Sequence, residues 1–147
     1  MQGHSSEESP VSASAEDYLE AIFRITTRRQ VARSKEIAEA LGVSKSSVTT
    51  ALKQLSASGL VNYDPYSYVT LTKAGEDIGR SVEARHQFLA RFLEIVLGVD
   101  AQRADQNACR IEHVLDAEVY DRLTAFARYL DDHGITSQSW QEGNTDE

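Results

Sequence analysis

One short stretch of the sequence combines three side-chain types that bind transition metals. Cys109 is followed three residues later by Glu112 and then directly by His113, so in a helix all three lie on one face. A thiolate sulfur, a carboxylate oxygen and an imidazole nitrogen would then lie close enough to share an ion. Because one helix supplies ligands from one side only, the stretch predicts that other parts of the chain complete the site.

Three further residues are candidate ligands by type, although each also has an ordinary explanation. Asp17 and Glu20 lie three apart on a predicted first helix, capped by Ser14, where acidic residues are favoured by the helix dipole and remain solvated. His86 lies in the middle of a long predicted helix, and a lone helical histidine is more often a surface or hydrogen-bonded residue than a ligand. From the residues alone, metal binding at these three positions stays open.

The composition is typical of a globular protein. The chain has 147 residues, of which 41% are hydrophobic and 26% charged, enough for one or two units with a core. No apolar run approaches the roughly 20 residues of a membrane span, and the N-terminus lacks a basic segment followed by an apolar one. A single cysteine cannot form an internal disulfide. We therefore expect a cytoplasmic protein that makes no membrane contact.

The distribution of charge indicates a nucleic-acid surface within an acidic protein. The net charge is −8, but residues 21–60 carry seven Lys or Arg against two Asp or Glu. Phosphate contact depends on the local field, so a basic block of this length predicts DNA binding, the alternative being chance clustering.

A helix-turn-helix lies within that block. A short helix from Lys35 to Leu41, a turn containing Gly42 and a second helix capped by Ser44 follow one another, as in this motif. The polar face of the second helix bears hydroxyl and lysine side chains and no acid, whereas an ordinary solvated face usually includes acids. Such a face can contact phosphates and base edges in a major groove. The predicted DNA-binding residues are Arg33, Ser34, Lys35, Ser44, Lys45, Ser46, Ser47, Thr49, Thr50, Lys53 and, from the following hairpin, Tyr66.

The remaining elements complete a mainly α fold. Two short β-favouring runs around Pro65 form a predicted hairpin wing, so the fold class is an N-terminal winged helix-turn-helix with a small β-hairpin, followed by an all-α dimerisation domain. The last helices are predicted over residues 101–115 and 116–133, and the apolar stripe of the latter predicts a homodimer. The predicted domains are a disordered leader (1–12), the DNA-binding domain (13–72), a helical metal-binding and dimerisation domain (73–133) and a flexible tail (134–147).

Over residues 13–133 the sequence resembles the DtxR/MntR family of metal-dependent transcriptional regulators, with the short, manganese-responsive branch as the nearest match. The resemblance is carried by the order and spacing of six segments: residues 16–20 (EDYLE), 37–41 (IAEAL), 46–49 (SSVT), 71–75 (LTKAG), 85–86 (RH) and 109–114 (CRIEHV). The family pattern implies a regulatory metal site and, position by position, a set of ligands. These ligands are Asp17, Glu20, His86, Cys109, Glu112 and His113.

The resemblance leaves the identity of the metal between two branches. The manganese branch usually has a carboxylate where this chain has Cys109, and the iron branch typically has Met where this chain has Asp17. The iron branch also has an ancillary site, with Glu at the position of Ala90 and His at that of Asp105. It usually adds an SH3-like domain, for which we expect this sequence to be too short. We expect Mn(II), with Fe(II) as the alternative and Zn(II) or Co(II) as ions that bind in vitro.

The resemblance implies a repressor of metal-uptake genes. Metal binding would hold a homodimer in the geometry that binds a palindromic double-stranded DNA operator, and no small organic ligand is expected. One alternative is a metal-independent or thiol-sensing winged-helix transcription factor in which Cys109 has another role. A hydrolytic metalloenzyme would need an open coordination position and a nucleophile constellation, which the sequence does not show, so we expect no enzyme activity.

Overall fold

The computed structural model describes residues 11–66 and 68–144. The chain divides into two compact units, one ending at Glu83 and the other beginning at Ala84. Most of the predicted leader lies outside the described residues. Its last two residues are ordered parts of the first unit, because Val11 packs against the core and Ser12 caps the first helix. The predicted domain boundaries stay a prediction.

The first unit has the element order of a winged helix. It contains α1 (Ala13–Arg29), α2 (Ser34–Leu41), α3 (Lys45–Ala57), β1 (Val61–Tyr63), β2 (Val69–Leu71) and the first turns of α4 (Lys73–Ile95). The core is formed by apolar side chains at helical spacing on α1, α2 and α3. One buried residue from each strand, Val61 and Val69, packs against them. The largest fully buried members of this core are Leu19, Ile22, Ile37, Val48, Leu52 and Val69.

Local capping explains where these helices begin. The Ser44 hydroxyl accepts a hydrogen bond from Ser47 N at 3.2 Å, which confirms the predicted cap of α3. The predicted N-cap of α1 is wrong by two residues, since the hydroxyl of Ser12 rather than that of Ser14 accepts the hydrogen bond from Ala15 N. Gly42 ends α2 at φ 65°, a left-handed conformation that costs a glycine little and lets the chain turn sharply into α3.

The wing is fastened to the segment between α1 and α2. Strands β1 and β2 pair antiparallel, with Val61 opposite Leu71 and Tyr63 opposite Val69. Val69 also exchanges two backbone hydrogen bonds with Ala32, at 2.9 and 2.8 Å. This bridge places Arg33, the next residue, at the base of the wing.

The start of α4 passes very close to the backbone of the first unit. A Cβ atom on Gly75 would lie 1.9 Å from the Leu60 carbonyl oxygen, and one on Gly79 would lie 2.8 Å from that of Leu19. Glycine at both positions lets α4 approach the hairpin and α1 more closely than any other residue could.

The second unit contains the rest of α4, then α5 (Ala101–Ile111), α6 (Ala117–Asp132), α7 (Ser137–Gln141) and a 3-10 turn (Glu142–Asn144). Asp100 caps α5, and Asp116 caps α6 as predicted, by accepting a hydrogen bond from Val119 N at 2.9 Å. Helix α5 ends four residues earlier than predicted, with Glu112 as its C-cap.

The segment from Gly134, predicted to be a flexible tail with Trp140 as its candidate tether, contains α7. The Trp140 indole N–H donates a hydrogen bond of 2.7 Å to the carbonyl of Val96, just beyond the end of α4. Ser137 lies close to Gly98, which turns the chain after α4 with a φ of 69°. Among the described residues, no helix is both long enough and apolar enough to cross a membrane.

Candidate functional site

Three of the predicted ligands form a buried cluster in the second unit. The Glu112 carboxylate lies between two imidazoles, with its Oε2 atom 2.7 Å from His86 Nδ1 and its Oε1 atom 3.3 Å from His113 Nε2. Glu112 is 1% exposed and His86 6%, and the His113 side chain is 9% exposed. A carboxylate withdrawn from water in this way requires positive partners close by, because an uncompensated buried charge is costly.

The positions of these three side chains follow from how α5 ends. His86 projects from the middle of α4. Glu112 is the C-cap that follows the last residue of α5, and His113 lies in the turn directly after it. The guanidinium of Arg85 donates to the carbonyl oxygens of Glu112, at 3.3 Å, and Leu115, at 2.8 Å. It also lies 5.2 Å from the centre of the Tyr120 ring. Arg85 therefore fixes the connection that carries two of the candidate ligands.

The donor set of this cluster fits a divalent metal ion. Two imidazole nitrogens and a carboxylate are ligands that Mn(II), Fe(II) and Zn(II) all accept. Ligand atoms bound to one ion at about 2.1 Å in octahedral geometry lie about 3 Å apart. The nitrogen–oxygen distances of 2.7 and 3.3 Å are close to that spacing.

The other three predicted ligands, Cys109 and the two acidic residues of α1, differ from this cluster in burial or in the unit to which they belong. Cys109 is exposed on α5, three residues before Glu112 and therefore on the same side of the helix. Asp17 is partly buried and Glu20 is 5% exposed, and both belong to α1 in the first unit. The Glu20 carboxylate accepts a hydrogen bond of 2.7 Å from Arg24, which also pairs with Glu83. Burial raises the pKa of Tyr18, which lies next to Asp17.

Two residues that contact this cluster, Arg85 and Asp105, were not among the predicted ligands. Arg85 was noted only as part of the family pattern, and its contacts with a chain segment 27 to 30 residues away carry no local signal. Asp105 lies 2.7 Å, through its Oδ1 atom, from His86 Nε2. Its position four residues before Cys109 and seven before Glu112 places it on the same face of α5, which is a signal that helical periodicity contains.

The predicted DNA-binding residues lie at the surface of the first unit. All are exposed except Ser34 and Thr49, which are partly exposed, and Tyr66 at the wing tip is fully exposed. The hydroxyl of Ser44 lies 3.0 Å from that of Ser46 and 2.9 Å from that of Ser47, so these side chains are ordered before any contact with DNA. Thr49 donates to the Lys45 carbonyl at 3.0 Å.

Arg33 is held against the wing by a tyrosine that the predicted set did not include. Its guanidinium lies 5.2 Å from the centre of the Tyr68 ring and donates a hydrogen bond of 3.4 Å to the Tyr68 hydroxyl. Its backbone N–H donates to the Glu36 carboxylate at 3.0 Å. The side chain of Arg33, a predicted DNA-binding residue, is thus held in position by Tyr68 of the wing.

A groove of about 570 Å³ in the first unit is lined by one candidate metal ligand and by several candidate DNA-binding residues. Asp17 lines it from α1, and Ser46, Ser47 and Thr50 line it from α3. Asp17 therefore shares this groove with side chains of the predicted DNA-binding face.

Two family models match the chain in tandem. Residues 11–69 match the N-terminal DNA binding domain of iron dependent repressors, and residues 72–139 match their metal binding and dimerisation domain.

Individual relatives are similar over most of the chain. An HTH-type transcriptional regulator of Methanocaldococcus jannaschii, itself uncharacterized, is 36% identical over 123 residues, which are 83% of this chain and 98% of that protein. The HTH-type transcriptional regulator MntR of Lysinibacillus sphaericus is 35% identical over 120 residues, 82% of this chain and 86% of that protein.

Among solved structures, that of the manganese regulator SloR superposes with a TM-score of 0.70 at 30% identity. The match covers 78% of this chain and 54% of the SloR chain, so this chain spans about half the length of that structure.

Proposed function

Because the chain belongs to the iron-dependent repressor family of metal-dependent, DNA-binding transcriptional regulators, we propose that it represses metal-uptake genes in response to Mn(II). The family is one of regulators rather than enzymes, and its two domains account for DNA binding and for a homodimer.

The observation that carries the proposal is the buried Glu112 carboxylate between His86 and His113. Three ionisable side chains of a small helical unit converge where packing alone would favour apolar residues. We assign these three residues as metal ligands, together with the exposed thiol of Cys109 on the same side of α5. The family pattern adds Asp17 and Glu20 of α1 to the set.

The preference for Mn(II) is supported by the oxygen donors of the proposed set. Asp17, Glu20 and Glu112 are hard carboxylate ligands, which suit Mn(II), and a solved relative is a manganese regulator. Cys109 is a soft ligand that favours Fe(II), Zn(II) or Co(II). The balance between these donors makes Cys109 the residue that sets selectivity.

DNA binding is assigned to α3, supported by the residues around it. The face containing Ser44, Ser46 and Thr50 is exposed and includes two lysines, Lys45 and Lys53. Arg33 and Lys35 extend the positive surface towards the wing, where Tyr68 holds the guanidinium of Arg33. In a homodimer two such helices can contact successive major grooves of a palindromic operator, about 34 Å apart.

The proposed switch uses the charge of the carboxylates. A bound divalent cation would supply positive charge that neutralises the acidic ligands. Without that charge, Asp17 and Glu20 disfavour any arrangement that brings them near other carboxylates. Because Asp17 lines a groove with Ser46 and Ser47, we infer that its charge also acts on the DNA-binding face. The metal acts as an effector only if it binds the DNA-competent arrangement more tightly than other arrangements.

The deciding experiment measures operator affinity of the metal-free protein during anaerobic titration with Mn(II), Fe(II), Zn(II) and Co(II). We expect Mn(II) to raise the affinity most, and Glu112→Ala and His113→Ala to abolish the metal response while the circular dichroism spectrum is retained. Cys109→Glu tests selectivity and should decrease the response to Zn(II) relative to Mn(II).

Two outcomes would contradict the proposal in different ways. A metal response that persists in both the Glu112→Ala and the His113→Ala variants would show that the ligands lie elsewhere. Operator binding that is tight in the presence of chelator and changes only on thiol oxidation would identify a thiol-sensing factor instead.

A further inference from the structure

His86 is held at both ring nitrogens by carboxylates of α5. Nδ1 lies 2.7 Å from Glu112 Oε2, and Nε2 lies 2.7 Å from Asp105 Oδ1. The two acids differ in environment, because the Glu112 side chain is fully buried whereas the Asp105 side chain is 67% exposed. The imidazole therefore has a buried side and a solvent side, each with its own neighbouring carboxylate.

We propose that Asp105 is a positioning residue that fixes the orientation and tautomer of His86 for metal binding through Nδ1. This inference rests on the proposed function, because it assumes that His86 and Glu112 are ligands. A neutral imidazole has one protonated nitrogen and one with a lone pair. With Nδ1 as the atom that would bind the metal beside Glu112, the proton would be on Nε2 and would be donated to Asp105.

Three features support a role in metal binding rather than a simple surface ion pair. First, the partner of Asp105 is a buried ring, so the hydrogen bond restricts the orientation of a side chain inside the unit. Second, a ligand histidine whose second nitrogen donates to a carboxylate is a better donor to metal, and removal of such a carboxylate typically weakens metal binding about 10–100-fold. Third, Asp105 on α5 and Glu112 at its C-cap lie about two helical turns apart on one side, so one helix aligns both carboxylates.

The test compares three substitutions at Asp105 by calorimetric titration of the metal-free protein with Mn(II). Asp105→Ala removes the acceptor and should weaken binding about 10–100-fold. Asp105→Asn keeps an oxygen acceptor without the charge and should have an intermediate effect, and Asp105→Glu should restore most of the affinity. Asp121→Ala, at an exposed carboxylate on α6, is the matched control and should bind like the wild type.

A spectroscopic measurement reports the tautomer directly. In the zinc-loaded, diamagnetic protein, nitrogen-15 spectra should show His86 protonated at Nε2, with that proton protected from exchange with water. In the Asp105→Ala variant the proton should exchange faster, while the dispersion of the backbone amide signals stays unchanged. A purely structural role for Asp105 would not produce this change at one ring proton.

The outcomes separate this inference from the proposed function. If the wild type binds Mn(II) and the Asp105→Ala variant binds it with equal affinity, only the role of Asp105 is wrong. If the substitution lowers the number of bound ions by one, Asp105 is itself a ligand of a second ion, and the positioning role is overturned. If the wild type binds no divalent metal, both the proposed function and this inference fail.

Discussion

At the scale of single residues, the affinity of the proposed surface for DNA depends on how its side chains are held in the absence of DNA. The wing tip has no lysine or arginine at Pro65 or Tyr66, so the wing itself offers little positive charge. Arg33 compensates for this, because its guanidinium lies against Tyr68 at the base of the wing. A guanidinium held in place gives up less conformational entropy when it binds a phosphate than one free in solvent.

We expect Arg33→Ala to decrease operator affinity and to reduce the slope of log affinity against log salt by about 0.9 for each phosphate that the variant no longer neutralises. Tyr68→Ala should cause a smaller decrease with the same sign, and Tyr68→Phe should stay near the wild type because the ring remains. Fluorescence anisotropy over a salt series measures each slope. Arg103→Ala, at an exposed arginine of α5, is the control, and a slope unchanged by Arg33→Ala would remove Arg33 from the interface.

At the scale of elements, the candidate site depends on where α5 stops. The helix ends at Ile111, and the carbonyl oxygens of Glu112 and Leu115 are satisfied by Arg85 of α4. Charged hydrogen bonds to partly buried carbonyl groups are among the stronger individual contributions to stability. Arg85 therefore holds the connection after α5 that contains His113.

We expect Arg85→Ala to lower the free energy of unfolding by about 2 kcal/mol, because the variant lacks the charged hydrogen bonds and the packing against Tyr120. The same substitution should weaken metal binding, because the connection after α5 is no longer fixed. Urea unfolding and metal titration measure the two effects. Arg91→Ala, at an exposed arginine further along α4, should change neither quantity, and an equal effect of both substitutions would contradict the assignment.

The elements also show what the sequence can and cannot predict. The caps at Ser44 and Asp116, the hairpin and the helix-turn-helix follow from local residue types, and the structure has all of them. Arg85 binds the Leu115 carbonyl, 30 residues further along the chain, and the Trp140 indole binds the Val96 carbonyl, 44 residues before it. Interactions of that range leave no trace in a periodic pattern, so the pattern predicted α5 too long and did not predict α7.

At the scale of the whole molecule, the homodimer requires a surface that the described residues leave exposed. One side of α6 presents Val119, Phe126 and Tyr129, each at least two-fifths exposed. These positions recur at helical spacing, so they form one apolar stripe rather than scattered residues. We assign this stripe to the interface between two copies of the chain.

We expect Phe126→Glu to convert the dimer to a monomer, because it places a charge in the centre of that stripe. Operator affinity should then fall about a hundredfold or more, since two linked half-site interactions become independent. Light scattering after gel filtration measures the mass, and metal affinity should remain that of the wild type. Asp121→Ala on the same helix should stay dimeric, whereas a Phe126→Glu variant that also remains dimeric would place the interface on another face.

The bond between α7 and the end of α4 gives the chain a natural optical label. Trp140 is the only tryptophan in the sequence, and its indole N–H is bonded to the Val96 carbonyl in the second unit. Its emission therefore reports release of α7 from α4, whereas far-ultraviolet circular dichroism reports the melting of helices in both units. Comparing the two signals along one denaturation curve shows whether the units melt together or in sequence, with no added fluorophore.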